Sequence, residues 1–293
     1  LRAYLHAGLK LSMSSSAGLD MRVSPVREGH PRFSAEVPLQ EIEIRPKGEG
    51  SWPAEALLTF EASGELRHPL RSGGEDYARG FQETPGLISP QGAYLSGASF
   101  FYPRFFMGSE SFRMEVRLPA GWKSVSQGRR TREEAQGGGV VAVWDSPEPM
   151  DEIYLIAAPF AEYRKSVGKI EVYAMLRNAD PALAQKYLDA TGGYLDLYGR
   201  LLGDYVYPKF ALVENFWETG YGMPSFTLLG PKVLRLPFIL HTSYPHEILH
   251  NWWGNGVFVD YDRGNWCEGL TAYLADHLLK EEKGLGEQYR RDA

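Results

Sequence analysis

A chain of 293 residues, 43% hydrophobic and 23% charged, is long enough for one large or two medium domains, each with its own core. Its formal net charge of −6 argues against a nucleic-acid partner, and its densest basic cluster, Arg129, Arg130 and Arg132, reads as a solvated hairpin tip. With no run of eighteen apolar residues the chain carries no apolar membrane span, and its single cysteine, Cys267, excludes an internal disulfide framework.

The chain opens on Leu1 without the basic-then-apolar order of a signal peptide. It ends on Ala293 just after a strongly helical stretch, and is expected to be a piece of a longer polypeptide.

The first half reads as β. In "SFRMEVRLPAGW", Phe112, Met114, Val116 and Leu118 share one face with polar residues between them, the period of a half-buried strand. "AEVPLQEIEI", "EALLTFEASGEL", "GVVAVWDS" and "DEIYLIAAPF" look similar and are separated by turn-rich pieces such as "QGGGV" and "SPEPM". Strands at this spacing predict a β-sandwich or saddle-like domain over residues 1–170.

Beyond about residue 178 the period changes. Apolar residues at 183, 187, 188, 194, 195, 198, 201 and 202 approximate a helical stripe, with Asp180 and Pro181 as its opening. Gly192-Gly193 is a point where that helix can kink or break. "YPKFALVENFWETGYGMPSFTLLG" then returns to strand character, and two more helices are predicted near 243–253 and 266–283. Residues 171–293 thus form an α/β domain behind the β domain, and the fold class is α+β.

The helix predicted near 243–253 lies in "HTSYPHEILHNWWGN". Residues four apart on a helix lie about 40° apart around the axis and about 6 Å along it, so His246 and His250 can aim both imidazoles at one point. Two metal–nitrogen bonds of about 2.0–2.1 Å suit that arrangement. Glu247 is turned about 100° from His246, which places it to the side, as a general base rather than a third ligand. By chance this pattern occurs in something on the order of one chain in a hundred of this length, so histidines packed in a core remain the rival reading. A catalytic zinc wants a third protein ligand. Glu268, with seventeen residues between it and His250, stands near the start of the next helix, where the helix dipole alone would also favour a carboxylate.

"HEILHNWWGN" followed by "WCEGLTAYLAD" resembles the gluzincin metallopeptidases, specifically the membrane alanyl aminopeptidase and leukotriene A4 hydrolase family. "ALAQKYLDATGGYLDLYGRLLGDYVYPKFALVE" is similar to the opening of that family's thermolysin-like catalytic domain. "GAYLSGASFFYPRF" and "SFRMEVRLPAGWKSVSQG" are similar to pieces of its N-terminal β domain. The resemblance implies one zinc ion held by His246, His250 and Glu268, with Glu247 as the base. It also implies a peptide or protein substrate, a C-terminally truncated catalytic domain, and a cell-envelope or periplasmic location.

The pattern is broken in places. The family has eighteen residues between second histidine and glutamate, and the connecting loop near "VFVDYDR" is where one residue can be lost cheaply. Its aminopeptidases carry G-x-M-E-N ahead of the metal helix, with the glutamate holding the substrate's α-amino group. Here Gly222 and Met223 are retained as substrate-side candidates, but Pro224 replaces that glutamate and cannot pair with an ammonium. Glu218 is a substitute, or else a surface carboxylate. Asp276, two turns after Glu268, is a candidate support for an imidazole. His277 and Cys267 read as structural, Cys267 being turned about 100° from Glu268. The aromatic residues of "NFWETGYGMPSF" and "NWWGN" suit a substrate pocket or a core equally. The expected function is zinc-dependent peptide hydrolysis, aminopeptidase-like with altered recognition of the N-terminus. The alternatives are a hydrolase of another bond and a zinc-holding or peptide-binding module without turnover.

Overall fold

The computed structural model describes residues 1–15, 18–26, 36–48, 50–72, 81–106 and 108–292. The fold is α+β, and the chain divides into two compact units. One comprises Leu1–Arg71, Thr84–Phe112 and Glu148–Ile156; the other comprises Ser72–Glu83, Arg113–Pro147 and Ala157–Ala293. Compactness therefore does not divide the chain by one cut at residue 170.

The first unit is built from antiparallel strands. β1 (Arg2–His6) pairs with β4 (Leu39–Pro46), which pairs with β3 (Leu19–Pro25). β2 (Leu9–Ser15) pairs with β5 (Leu58–Gly64), and β6 (Gly86–Ser89) forms a hairpin with β7 (Gly92–Leu95). Alternate residues of these strands point inward, and Ala3, Leu5, Leu19, Ile42 and Ile44 form the core.

Against that core lies a histidine pair. His6 Nδ1 accepts the Gly8 N–H at 3.0 Å, so its proton sits on Nε2, which lies 3.1 Å from His68 Nε2. Burial holds both rings below the usual histidine pKa; the neighbouring His68 adds to this for His6, and Arg71 for His68, where Glu36 opposes. The folded state thus prefers neutral rings. Stability from this pair is complete above the ordinary value of about 6.5 and is lost as pH falls through the lower folded values. Thermal scans at pH 7.5 and pH 5 are expected to show a lower midpoint in acid, and His68→Gln should shrink that difference.

β8 (Glu110–Pro119), β10 (Gly139–Met150) and β9 (Arg129–Gln136) form a three-stranded sheet in that order, and residues 113–147 of it belong to the second unit. In β8 Phe112, Met114, Val116 and Leu118 alternate with exposed residues, as their spacing predicts. The sheet that positions the site has the order β11 (Ala161–Val167), β12 (Ile170–Leu176), β13 (Lys209–Glu214), β15 (Phe226–Leu229), β14 (Gly220–Met223). β11 pairs with β12 across residue 170, which is why no domain boundary falls there.

β12, β13 and β15 are parallel neighbours, so a crossover must join β12 to β13. That crossover is α1 (Pro181–Leu202), with Asp180 accepting the Leu183 N–H at 2.9 Å and Pro181 at its first position. α1 runs unbroken through Gly192-Gly193. A Cβ at Gly192 would stand 3.4 Å from Val167, an ordinary contact, and one at Gly193 would meet open space, so neither glycine is demanded by packing and neither interrupts the helix. Ala184, Tyr187, Leu188, Leu195 and Tyr198 bury against Val172, Ala174 and Leu176. Central β13 is buried along its whole length, as a parallel strand covered on both faces should be.

Candidate metal centre

α2 (Ser243–Leu249) carries His246 and Glu247, and His250 caps its C-terminus in helical geometry. The His250 N–H still bonds the His246 carbonyl at 3.3 Å, so the four-residue spacing has its helical meaning although the helix proper ends before 253. The two rings stand with centroids 4.9 Å apart. α3 (Trp266–Thr271) brings Glu268, in its first turn, to face them. His246 Nε2 lies 3.3 Å from one Glu268 oxygen and His250 Nε2 lies 3.5 Å from the other.

These distances exceed the roughly 2.7–2.9 Å of a charge-assisted hydrogen bond. Each runs to a different Glu268 oxygen, and both lie near the roughly 3.3 Å edge of a tetrahedron whose centre makes bonds of about 2.0–2.1 Å. Donor atoms of the three residues all lie within 4.8 Å of one another. Two imidazoles and one carboxylate are borderline donors of the kind zinc takes, so the residues present fit that ion.

His246 Nδ1 lies 3.3 Å from Asp276 Oδ2. Residues Ala272–His277, directly after α3, form a π-helical turn, and that turn explains the reach of Asp276. A regular helix would leave Asp276 about 80° around from Glu268. Bonding from i to i+5 takes roughly 4.4 residues per turn, which brings Asp276 back to within about 10° of the Glu268 face.

Cys267 departs from expectation. It is buried, but its Sγ lies 3.4 Å from His250 Nδ1, so α3 meets both edges of that ring with consecutive residues. The start of α3 lies across the ring, and a turn of about 100° carries Cys267 to the far edge instead of away from it.

Burial works against a charged His246, but the Asp276 hydrogen bond and the charges of Glu247, Asp276 and Glu268 hold its pKa above the usual value. Burial keeps His250 below it, against the pull of Glu268. Burial also pushes Glu247 up to about 7, opposed by His246 and reinforced by Glu268 and Asp276. A cation on the neighbouring donors would pull Glu247 back toward the carboxylate.

His246, Glu247, His250 and Glu268 line a cleft of about 700 Å³ with Gly220, Tyr221, Gly222, Thr242, Ser243, Gly254, Asn255, Asn265, Cys267 and Asp276. Gly222, in β14, packs directly against Glu247. A Cβ built there would overlap Glu247 Oε2. Gly222→Ala must therefore displace the Glu247 carboxyl, and any step that depends on the placement of that group is expected to slow by about tenfold or more, since misplacement by about 1 Å can cost 10²-fold. Bound zinc, measured by metal analysis, should remain unchanged in that variant.

Met223 and Glu218 do not join this group. Met223 is buried in the strand, and Glu218 accepts the Lys232 backbone N–H at 3.1 Å and packs against Gly230. Gly254, at φ 89°, is a cleft residue that spacing could not single out, although only glycine takes that conformation freely beside His250 and Cys267.

No protein-family model matches the sequence, and no curated protein does. Among solved structures the chain has the fold of zinc metallopeptidases. An M1 zinc metallopeptidase from Deinococcus radiodurans superposes with TM-score 0.63 at 17% identity, covering 97% of this chain and 63% of that one. A mutant of the same enzyme bound to a Tyr-Ser-Ala substrate gives TM-score 0.61 at 16% identity, with the same coverage. The chain thus spans 63% of the length of these structures, and at such identity the likeness is one of fold.

Proposed function

We propose that this chain forms the metal-holding part of a zinc-dependent peptidase in which His246, His250 and Glu268 hold one zinc ion. The observation that carries the reading is the pair of donor separations, 3.3 and 3.5 Å, across two helices. Zinc bound there supplies a Lewis acid for a carbonyl oxygen and renders water acidic near neutral pH.

The rest falls to the chain's own residues. Glu247 stands beside the donors in the cleft, takes a proton from the attacking water and delivers it to the leaving nitrogen. Asp276 accepts the Nδ1 proton of His246, which leaves Nε2 as the donor atom. Gly222 leaves room for the Glu247 carboxyl.

Recognition of the substrate's N-terminus is altered in this reading. Pro224 is buried in the hairpin turn after β14, and the Glu218 carboxylate is taken up by a backbone N–H. Pro224 has no carboxylate to offer an α-ammonium, and Glu218 is not among the residues that line the cleft. The test is hydrolysis of matched peptides with free and acetylated N-termini by the zinc-loaded full-length protein. Cleavage of the acetylated series within about tenfold of the free series is the expected result. Strict dependence on a free amine would overturn the altered recognition, and stoichiometric zinc without cleavage of either series would leave a zinc-holding module.

A further inference from the structure

The second unit buries a lysine that meets no carboxylate among the described residues. Lys209, the first residue of β13, is 1% exposed. Its Nζ donates to Ser225 Oγ at 2.6 Å and to the Ser225 carbonyl at 3.1 Å, and it lies 5.5 and 5.3 Å from the ring centroids of Trp144 and Phe226. A buried amine held by neutral oxygens and rings, with the Arg130 guanidinium over the same Trp144 ring, is expensive to keep, and the cost falls only if its donors are all used.

The residue it holds is itself strained. Ser225 has φ 68°, the left-handed region that side chains other than glycine seldom enter, and such strain persists only where the surroundings over-determine it. Here they do. Besides the two bonds from Lys209, the Ser225 carbonyl accepts Ala211 N–H at 3.1 Å, and the Ser225 N–H donates to Asn251 Oδ1 at 2.7 Å.

Asn251 is fully buried and comes directly after His250. Its Nδ2 donates to the Ile248 carbonyl at 3.0 Å and to the Glu247 carbonyl at 3.4 Å. One amide thus joins the turn between β14 and β15 to the end of the metal-binding helix. Three residues before Ser225, on the same hairpin, stands Gly222 against the Glu247 carboxyl.

We propose that Lys209, Ser225 and Asn251 are positioning residues, a buried brace that locks the β14–β15 hairpin to α2 and so sets the gap between Gly222 and Glu247. The brace touches none of the three metal donors through its side chains, so it acts on the base and not on the ion. The catalytic consequence rests on Glu247 being the base; the mechanical one does not.

The test uses the full-length zinc-loaded protein and exploits the strain. Lys209→Met keeps an unbranched side chain one atom shorter and removes the donors. It should lower kcat about tenfold or more, with KM and zinc affinity, by chelator competition, within about threefold of wild type. Amide hydrogen exchange over residues 222–227 and 247–251 should speed up together. Adding Ser225→Gly should recover most of both losses, because glycine holds φ 68° without a clamp. A lysine that merely fills space would not be rescued in this way.

Unchanged exchange in both segments of folded Lys209→Met, or failure of Ser225→Gly to restore it, overturns the brace. Coupled and rescued exchange in a protein without hydrolysis would sink the peptidase reading and leave the brace standing. Should Lys209→Met not fold, Asn251→Ala, which cuts the link itself, makes the comparison: faster exchange in both segments that Ser225→Gly does not restore supports the brace, and unchanged or glycine-rescued exchange overturns it.

Discussion

Glu247→Gln is expected to leave zinc in place and to lower peptide hydrolysis by about 10²–10⁴-fold, the span over which a positioned general base acts. The substitution is nearly isosteric, so the cleft and the close approach of Gly222 are preserved. What changes is the chemistry at one atom: an amide oxygen accepts a hydrogen bond but does not take up a proton. Glu247 is not within the group of donors that converge, and those three side chains keep their 3.3 and 3.5 Å separations without it. Bound zinc should therefore match wild type, while kcat falls and KM stays within a few-fold. A variant retaining more than about a tenth of wild-type turnover would remove Glu247 from the role of base.

The cluster of His246, His250 and Glu268 was legible because it is local. A four-residue spacing of two histidines carries geometric meaning in any helix, and one further helix supplies the carboxylate. The strands were legible for the same reason, since alternation such as that of residues 112–118 is read from neighbours alone. The features that stayed hidden depend on pairing at a distance. The division of the chain is set by long-range packing, which groups Glu148–Ile156 with Leu1–Arg71 although the strand Gly139–Met150 runs straight into that segment, and no local pattern signals it.

The π-helical turn is hidden too, since nothing in "AYLADH" distinguishes i→i+5 from i→i+4 bonding, yet it decides that Asp276 reaches His246. Cys267 was turned the wrong way by the same idealisation: a helix fixes angles about its own axis but not where that axis lies relative to His250. The brace is more remote still. It links positions 16 and 26 residues apart, and its lysine reads as a solvated charge in any sequence-based view.

Removing one donor should have the largest effect of all. Glu268→Ala takes the only carboxylate out of the group of three, leaving two imidazoles with an anionic donor no longer opposite them. Hydrolysis is expected to fall to background, because the residues that move protons then have no activated water to work on. The fold should survive. The Glu268 side chain is 54% exposed, so its truncation opens no cavity of the kind that costs stability in a core.

That contrast makes the prediction separable from simple unfolding. In wild type, free zinc at about a hundredfold over the dissociation constant should stabilise the native state by about 2.7 kcal/mol, provided the unfolded chain does not bind it. Thermal scans with and without zinc should resolve that increment. In Glu268→Ala the scan without zinc should resemble wild type, and the increment should vanish at the same zinc concentration. If the variant keeps the full zinc-dependent rise, the ion is not held by Glu268, and the 3.3 and 3.5 Å separations reflect only carboxylate–imidazole pairing.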